Sequence, residues 1–193
     1  MRSPLRRLVR ALEREDVRSI SRRYFISNGF DGALTSIGVT VGAYLSGIPD
    51  GLTVFSIGIG AAIGLGTSGV WSVWEIERAE KRAERARIEH AMLTDLADTR
   101  VQRQQAGARQ VNALMSGIGP IIGVVLPMVP FLAEGTLLSM RAATLISIGV
   151  AVGILFAFGA YLATISEQSW LVAGARMGLA GVLVAVLNFL LPG

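Results

Sequence analysis

Three polar side chains interrupt the first long apolar segment of the chain. Asn28, Asp31 and Thr35 follow one another at intervals of three and four residues, which places an amide, a carboxylate and a hydroxyl on one face of a helix. If the helix enters hydrocarbon near Tyr24, a rise of about 1.5 Å per residue puts Asp31 roughly 10 Å deep in a core about 30 Å thick. An ionisable side chain at that depth predicts an ion or proton pathway, because burying it is costly.

The chemistry that these three residues suit is the binding of a hard divalent cation, since all of them offer oxygen ligands. One carboxylate among neutral oxygens would hold such an ion loosely enough to release it. Protonation of Asp31 could then exchange the ion for a proton. The structural alternative is a buried aspartate hydrogen-bonded to a neighbouring helix, but membrane interiors rarely keep a carboxylate for packing alone, and this favours the transport interpretation.

A second group of carboxylates lies further along the chain in a strongly charged segment. Glu77, Glu80 and Glu84 share a helix face and could collect a divalent cation before it crosses the membrane. Glu77 and Lys81 also form an i, i+4 pair, and alternating charge on a helix more often indicates a solvated surface. Further possible ligands in this segment are His90, Met92, Asp95 and Asp98.

The composition identifies an integral membrane protein and excludes several kinds of site. Of 193 residues, 52% are hydrophobic and only 17% are charged, which is too apolar for an ordinary soluble domain. There is no cysteine and only one histidine, so disulfides, thiolate metal sites and histidine-rich zinc sites are excluded. No paired histidine and carboxylate and no nucleophile constellation is visible, so we predict no catalytic residue, no cofactor-binding site and no enzyme activity.

The predicted fold is an all-α integral membrane protein with five transmembrane helices. Each apolar segment is close to the roughly 20 residues that cross a bilayer. A basic amphipathic helix over 1–23 precedes them and would lie on the membrane surface or form a short solvated cap. A charged helical insertion over 75–110 separates transmembrane helices 1 and 2, within 24–74, from helices 3 to 5, within 111–193. The five predicted spans are 24–47, 51–74, 111–133, 137–165 and 168–191.

The distribution of basic residues predicts the orientation. Of the 18 Lys and Arg residues, eight lie in 1–23 and eight in 75–110. Short loops rich in these residues stay on the cytoplasmic side, so the N-terminus and the insertion are predicted to be cytoplasmic and the C-terminus to lie outside. A prokaryotic cell membrane suits so compact a bundle. The basic segments lack the interleaved aromatic residues of a single-strand binder, so no nucleic-acid partner is predicted.

Two spans carry features that bear on packing. Gly60 and Gly64 form a GxxxG pattern in the second span, which allows close approach of another helix. The third span contains Pro120, Pro127 and Pro130, which could break the helix to line a pathway or merely bend it.

Three stretches resemble the vacuolar iron transporter family, of which this chain would be a member with a short insertion. The run Asp31-Gly32-Ala33-Leu34-Thr35-Ser36 is similar to the family's motif early in the first span. The stretch 64–66 leads into an acidic helix as in the family, and Gly-Val-Val-Leu-Pro-Met-Val-Pro-Phe at 123–131 is close to the family's Gly-x-x-Ile-Pro-Leu-Leu-Pro-Tyr.

The resemblance implies a homodimer whose first spans line a shared pathway and export Fe²⁺ or Mn²⁺ from the cytosol in exchange for protons. Asp31 then corresponds to the family's essential membrane aspartate. The sequence departs from the family at Phe30, where a polar residue is usual, at Leu65, near the position of a metal-binding methionine, and in the glutamate spacing of 75–110. The alternative function is a membrane scaffold with a basic cytoplasmic platform, which would not transport.

Overall fold

The computed structural model describes residues 15–92 and 100–191, and this part of the chain is helical with no strand. A 3-10 helix, Val129–Ala133, continues from the third α-helix. The α-helices found within these ranges are α1 (Glu15–Leu45), α2 (Gly51–Met92), α3 (Arg100–Met128), α4 (Met140–Ser166) and α5 (Trp170–Leu190).

Helix α1 packs against each of the other four helices and so lies at the centre of the bundle. Among the described residues, four helices are long and apolar enough to cross a membrane, and these are α2 to α5, with α3 counted together with the 3-10 helix that follows it. The 31 residues of α1 are also enough to cross, but its sequence is more polar. A central position explains this difference, because the surrounding helices separate much of α1 from lipid.

The predicted boundaries at the two charged segments differ from the helix ends. Helix α1 already begins at Glu15, so 15–23 continue the first predicted span without a break. The rest of the predicted amphipathic helix, 1–14, lies outside the described residues. Helix α2 likewise continues past its apolar part to Met92, and the next described residue, Arg100, starts α3. The cytoplasmic location of this insertion stays a prediction.

Glycines allow α1 and α3 to pack backbone against backbone. A Cβ atom on Gly32 would lie 2.6 Å from the carbonyl oxygen of Pro120, and one on Gly123 would lie 2.5 Å from that of Gly29. Real Cβ atoms do not approach so closely, so neither glycine can carry a side chain without movement of a backbone. Helix α3 continues through Pro120 and Pro127, and the third proline lies in the 3-10 helix. The neighbouring helix covers the proline region, which is consistent with a packing role for it.

The first residues of α2 are held by two carboxylates. Asp50 accepts hydrogen bonds from the backbone N–H of Thr53 (2.8 Å) and from its hydroxyl (2.7 Å), which satisfies one of the free backbone donors in the first turn of the helix. Glu134, after the 3-10 helix, accepts a bond from the N–H of Gly51 at 3.0 Å. These contacts join two connections at the end of the bundle that is predicted to lie outside.

Candidate functional site

One face of α1 is left open by the other helices. Ser27, Asp31, Thr35, Gly38 and Gly42 recur at intervals of three and four residues and therefore share this face. Asp31 and Gly42 are exposed, and a Cβ atom on Gly42 would meet nothing within 4 Å. We refer to these five residues as the Asp31 face.

The Asp31 carboxylate has no partner within the part of the chain that the structure describes, where it neither accepts a hydrogen bond nor forms an ion pair. The Thr35 hydroxyl, one turn further along the same face, donates to the backbone carbonyl of Asp31 at 2.8 Å, and its oxygen can still accept a hydrogen bond or coordinate an ion. A carboxylate that a bundle places among apolar helices needs water, a cation or a partner subunit.

Asn28, the third predicted pathway residue, is held in the contact between α1 and α3. Its side-chain amide donates to the backbone carbonyl of Ser116 at 3.3 Å and also to the Ser116 hydroxyl. That hydroxyl donates in turn to the carbonyl of Gly69 in α2 at 2.9 Å. The structure thus brings Asp31 and Thr35 together on the open face and uses the NH₂ group of Asn28 to tie three helices together.

Glu77 forms a second junction of the same three helices. Its side chain is buried, and one carboxylate oxygen accepts bonds from the amide of Asn112 in α3 (3.0 Å) and from the hydroxyl of Tyr24 in α1 (3.5 Å). Tyr24 precedes Asn28 by four residues and Asn112 precedes Ser116 by four. The two junctions are therefore stacked one helical turn apart.

The remaining predicted carboxylate ligands do not converge with Glu77. Glu80 and Glu84 are exposed, and Glu84 pairs with Lys81 at 2.7 Å. Within residues 15–92 and 100–191 there is no group of three His, Asp or Glu side chains that could hold a metal ion. His90 is exposed, Asp95 and Asp98 lie outside the described residues, and the side chain of Met92 is likewise not described.

The two positions that depart from the expected motif have apolar surroundings. Phe30 packs against the cluster that contains Ile37 and Leu155, between α1 and α4. Leu65 packs against the cluster of α2 and α3 that contains Val124 and Met128. Both side chains fill the bundle interior, where they add no ligand to the site.

The sequence interpretation missed Asn112 and Ser116, which complete the two junctions. A signal for them was present, because they are polar, four residues apart and at the start of a long apolar span. Such a pair predicts a helix face that hydrogen-bonds to another helix. It does not predict which helix, and Glu77 lies 35 residues away along the chain.

Comparison with known proteins gives two matches. The sequence pattern that defines the VIT family matches residues 73–192. An uncharacterized protein of the archaeon Methanocaldococcus jannaschii is 29% identical over 172 residues, which cover 88% of this chain and 87% of that protein. No solved structure matches the chain significantly.

Proposed function

The chain belongs to the VIT family, a family of metal-ion transporters, and from this premise we propose that it moves Fe²⁺ or Mn²⁺ out of the cytosol in exchange for protons. Its apolar helices and its family make it a multi-pass membrane protein. The resemblance read from the sequence motifs is confirmed by this match. The metal, the direction and the proton coupling are the parts that we propose.

The observation that carries the proposal is the carboxylate of Asp31 on the open face of the central helix, which has no partner among residues 15–92 and 100–191. A hard divalent ion that passes along this face meets the charge of Asp31 and the hydroxyl of Thr35. Asn28 is a positioning residue in this scheme, since its hydrogen bonds to Ser116 fix the rotation of α1 against α3. A site with few strong ligands is suited to transport, because an ion that is held tightly would leave slowly.

The proton coupling is assigned to the same carboxylate. When Asp31 is ionised it attracts the cation from the cytosolic side. A proton that arrives from outside neutralises the carboxylate, which weakens its hold on the ion and allows release. The proton then leaves toward the cytosol when the next cation displaces it. Each site therefore carries the metal ion outward and the proton inward.

A homodimer would complete the site, because one Asp31 face offers only one carboxylate. Two copies that meet along this face would supply two charges to one divalent ion and would shield the carboxylates from lipid. Helix α2 offers a further contact surface, in which small residues recur every fourth position and are all exposed. They are Ser56, Gly60, Gly64, Ser68 and Ser72.

The charged insertion is proposed to lie in the cytosol, with the N-terminus on the same side and the C-terminus outside. There Glu80 and Glu84 would raise the local concentration of cations near the entrance. Glu77 we assign to the junction with Tyr24 and Asn112, because its carboxylate is already engaged.

The test is transport in reconstituted liposomes. Wild-type protein with a fluorescent indicator for Fe²⁺ or Mn²⁺ inside the vesicles should show uptake that depends on a pH gradient, together with an opposite movement of protons. Empty liposomes give the background. Flux that ignores the pH gradient would defeat the antiport mechanism, and no flux with any divalent metal would favour the scaffold function instead.

Calorimetry separates the transporter from the scaffold independently of flux. Titration of Mn²⁺ into the intact protein in detergent should give a binding isotherm that disappears in Asp31→Asn. A scaffold has no need of a binding site that depends on Asp31. An identical isotherm for both proteins would therefore contradict the proposed role of the carboxylate.

A further inference from the structure

The last helix carries one amide in an otherwise apolar outer half. Asn188 lies two residues before the end of α5, and its NH₂ group donates to the carbonyl of Val184 at 2.9 Å. Its carbonyl oxygen, Oδ1, accepts no hydrogen bond within the described residues. The neighbours Leu187 and Phe189 are 44% and 60% exposed, as expected for side chains that face lipid. Asn188 itself is only partly exposed and turns toward the bundle.

The free oxygen of Asn188 lies beside the Asp31 face. A Cβ atom built on Gly38 would be 3.7 Å from Oδ1, so the missing side chain of this glycine leaves the amide oxygen uncovered. Gly38 follows Asp31 by seven residues and therefore lies on the same side of α1, about 10 Å along the helix. By the predicted orientation this displacement is toward the outside.

We propose that Asn188 lines the outer half of the ion route and that its Oδ1 coordinates the divalent cation after the cation has left Asp31. This inference rests on the proposed transport function and adds a second position to the route. A neutral amide oxygen is a suitable ligand there, because it replaces one water of the ion without holding the ion by charge. Water would complete the coordination.

Accessibility to a thiol reagent tests the position without measuring transport. The chain has no cysteine, so Asn188→Cys, Leu187→Cys and Phe189→Cys each contain one thiol at nearly the same depth. We expect a charged, membrane-impermeant methanethiosulfonate to label Asn188→Cys in proteoliposomes about tenfold faster than either neighbour, because the reactive thiolate forms only in contact with water. Mn²⁺ in the outer solution should slow this labelling and leave the neighbours unchanged.

Two outcomes would overturn the inference. Equal labelling at all three positions would mean that the end of α5 is simply hydrated at the membrane surface. No labelling at Asn188→Cys would mean that no water-filled route passes it. The membrane-permeant form of the same reagent also labels thiols that face the vesicle interior, so it serves as the control for protein inserted in the opposite orientation.

Flux measurements then separate this inference from the proposed function. Asn188→Leu should lower Mn²⁺ flux about fivefold, the size of effect expected when one neutral polar partner is lost from a barrier. The branched Gly38→Val should act like Asn188→Leu, because its side chain would cover Oδ1. If wild type transports Mn²⁺ and Asn188→Leu transports it equally fast, the role of Asn188 is wrong and the proposed transport function stands. Absence of flux in wild type would defeat the transport function itself.

Discussion

Two carboxylates of this protein, Asp31 and Glu77, have opposite surroundings. Glu77 is 6% exposed and accepts two hydrogen bonds from side chains of α1 and α3. Asp31 is exposed on the open face of α1, and its carboxylate has no partner within the described residues. Glu77 lies just beyond the second predicted span, at the end predicted to be cytoplasmic, and Asp31 lies inside the first predicted span.

The difference fits a structural role for Glu77 and the transport role proposed for Asp31. A buried carboxylate that accepts hydrogen bonds from two other helices holds those helices together, and it has little freedom to move toward an ion. A carboxylate without partners contributes nothing to packing and remains free for a cation or a proton. Partnering, more than depth or charge, therefore distinguishes the two roles.

The largest expected effect is on flux, and it comes from matched amide substitutions at the two carboxylates. Asp31→Asn should lower Mn²⁺ flux at least about a hundredfold, because an amide supplies neither the charge that holds the ion nor a group that can be protonated. Glu77→Gln should retain most of the flux, since the amide oxygen can still accept from Asn112 and Tyr24. Comparable losses in both variants would erase the distinction between the two regions.

The second prediction compares the same two carboxylates by their effect on stability, where the larger loss is expected at Glu77. Glu77→Ala should lower the free energy of unfolding by about 2–3 kcal/mol, because the amide of Asn112 loses a charged partner in a buried position. Asp31→Ala should leave stability unchanged or slightly raise it. Unfolding by denaturant in detergent micelles measures both, with the exposed Glu80→Ala as the matched control. A larger loss for Asp31→Ala than for Glu77→Ala would contradict the assignment.

The sequence was sufficient to predict the helical class and four of the apolar helices, and insufficient to predict which polar atoms are hydrogen-bonded. The lengths of the apolar segments specify spans closely, because the bilayer sets their length. The spacing of Asn28, Asp31 and Thr35 places them near one face of α1, and their role in a pathway stays a prediction. Around the axis of α1 the three side chains point in directions that differ by fractions of a turn. Only the packing of α3 decides that Asn28 is hydrogen-bonded to another helix and that Asp31 is not.

The interpretation of Glu77 shows the same limit. In the sequence it is one of several glutamates in a charged segment, where Glu80 and Glu84 look equivalent. Its partner Asn112 comes from the far side of the insertion. A contact between residues 35 positions apart depends on how two helices pair, which periodicity alone does not reveal.

The third prediction concerns the glycines that hold α1 against α3 near Asp31. Gly123→Ala should lower the free energy of unfolding by about 1–3 kcal/mol, because its Cβ would meet the carbonyl oxygen of Gly29 at 2.5 Å and the helices must separate. Gly60→Ala in α2 is the matched control, since nothing lies within 4 Å of its Cβ. It should keep the stability of the monomer, and any effect should appear in crosslinking between subunits. Equal thermal unfolding midpoints for the two monomeric variants would contradict the close contact.

The smallest expected effect comes from a third carboxylate, Asp50, which is exposed like Asp31 and hydrogen-bonded like Glu77. Hydrogen bonds from the side chain and the backbone of Thr53 lower the pKa of Asp50 below its usual value. The ionised form is therefore favoured in the folded protein. Its contribution to stability is present above the unfolded-state pKa, about 3.9, and is lost as the pH falls through the lower folded-state pKa. Asp50→Asn keeps the cap and removes the charge at every pH.

The variant should thus unfold at a slightly lower temperature than wild type between about pH 5 and pH 7. The difference should shrink as the pH falls below about 4, because Asp50 of the wild type then becomes neutral as well. Differential scanning fluorimetry in detergent measures this difference, and effects of the other carboxylates cancel between the two proteins. A difference that persists unchanged at pH 3 would show that the loss does not come from the charge of Asp50. A difference that is absent at pH 7 would show that Asp50 is as free of partners as Asp31. Exposure alone would then be enough to leave a carboxylate unengaged in this bundle.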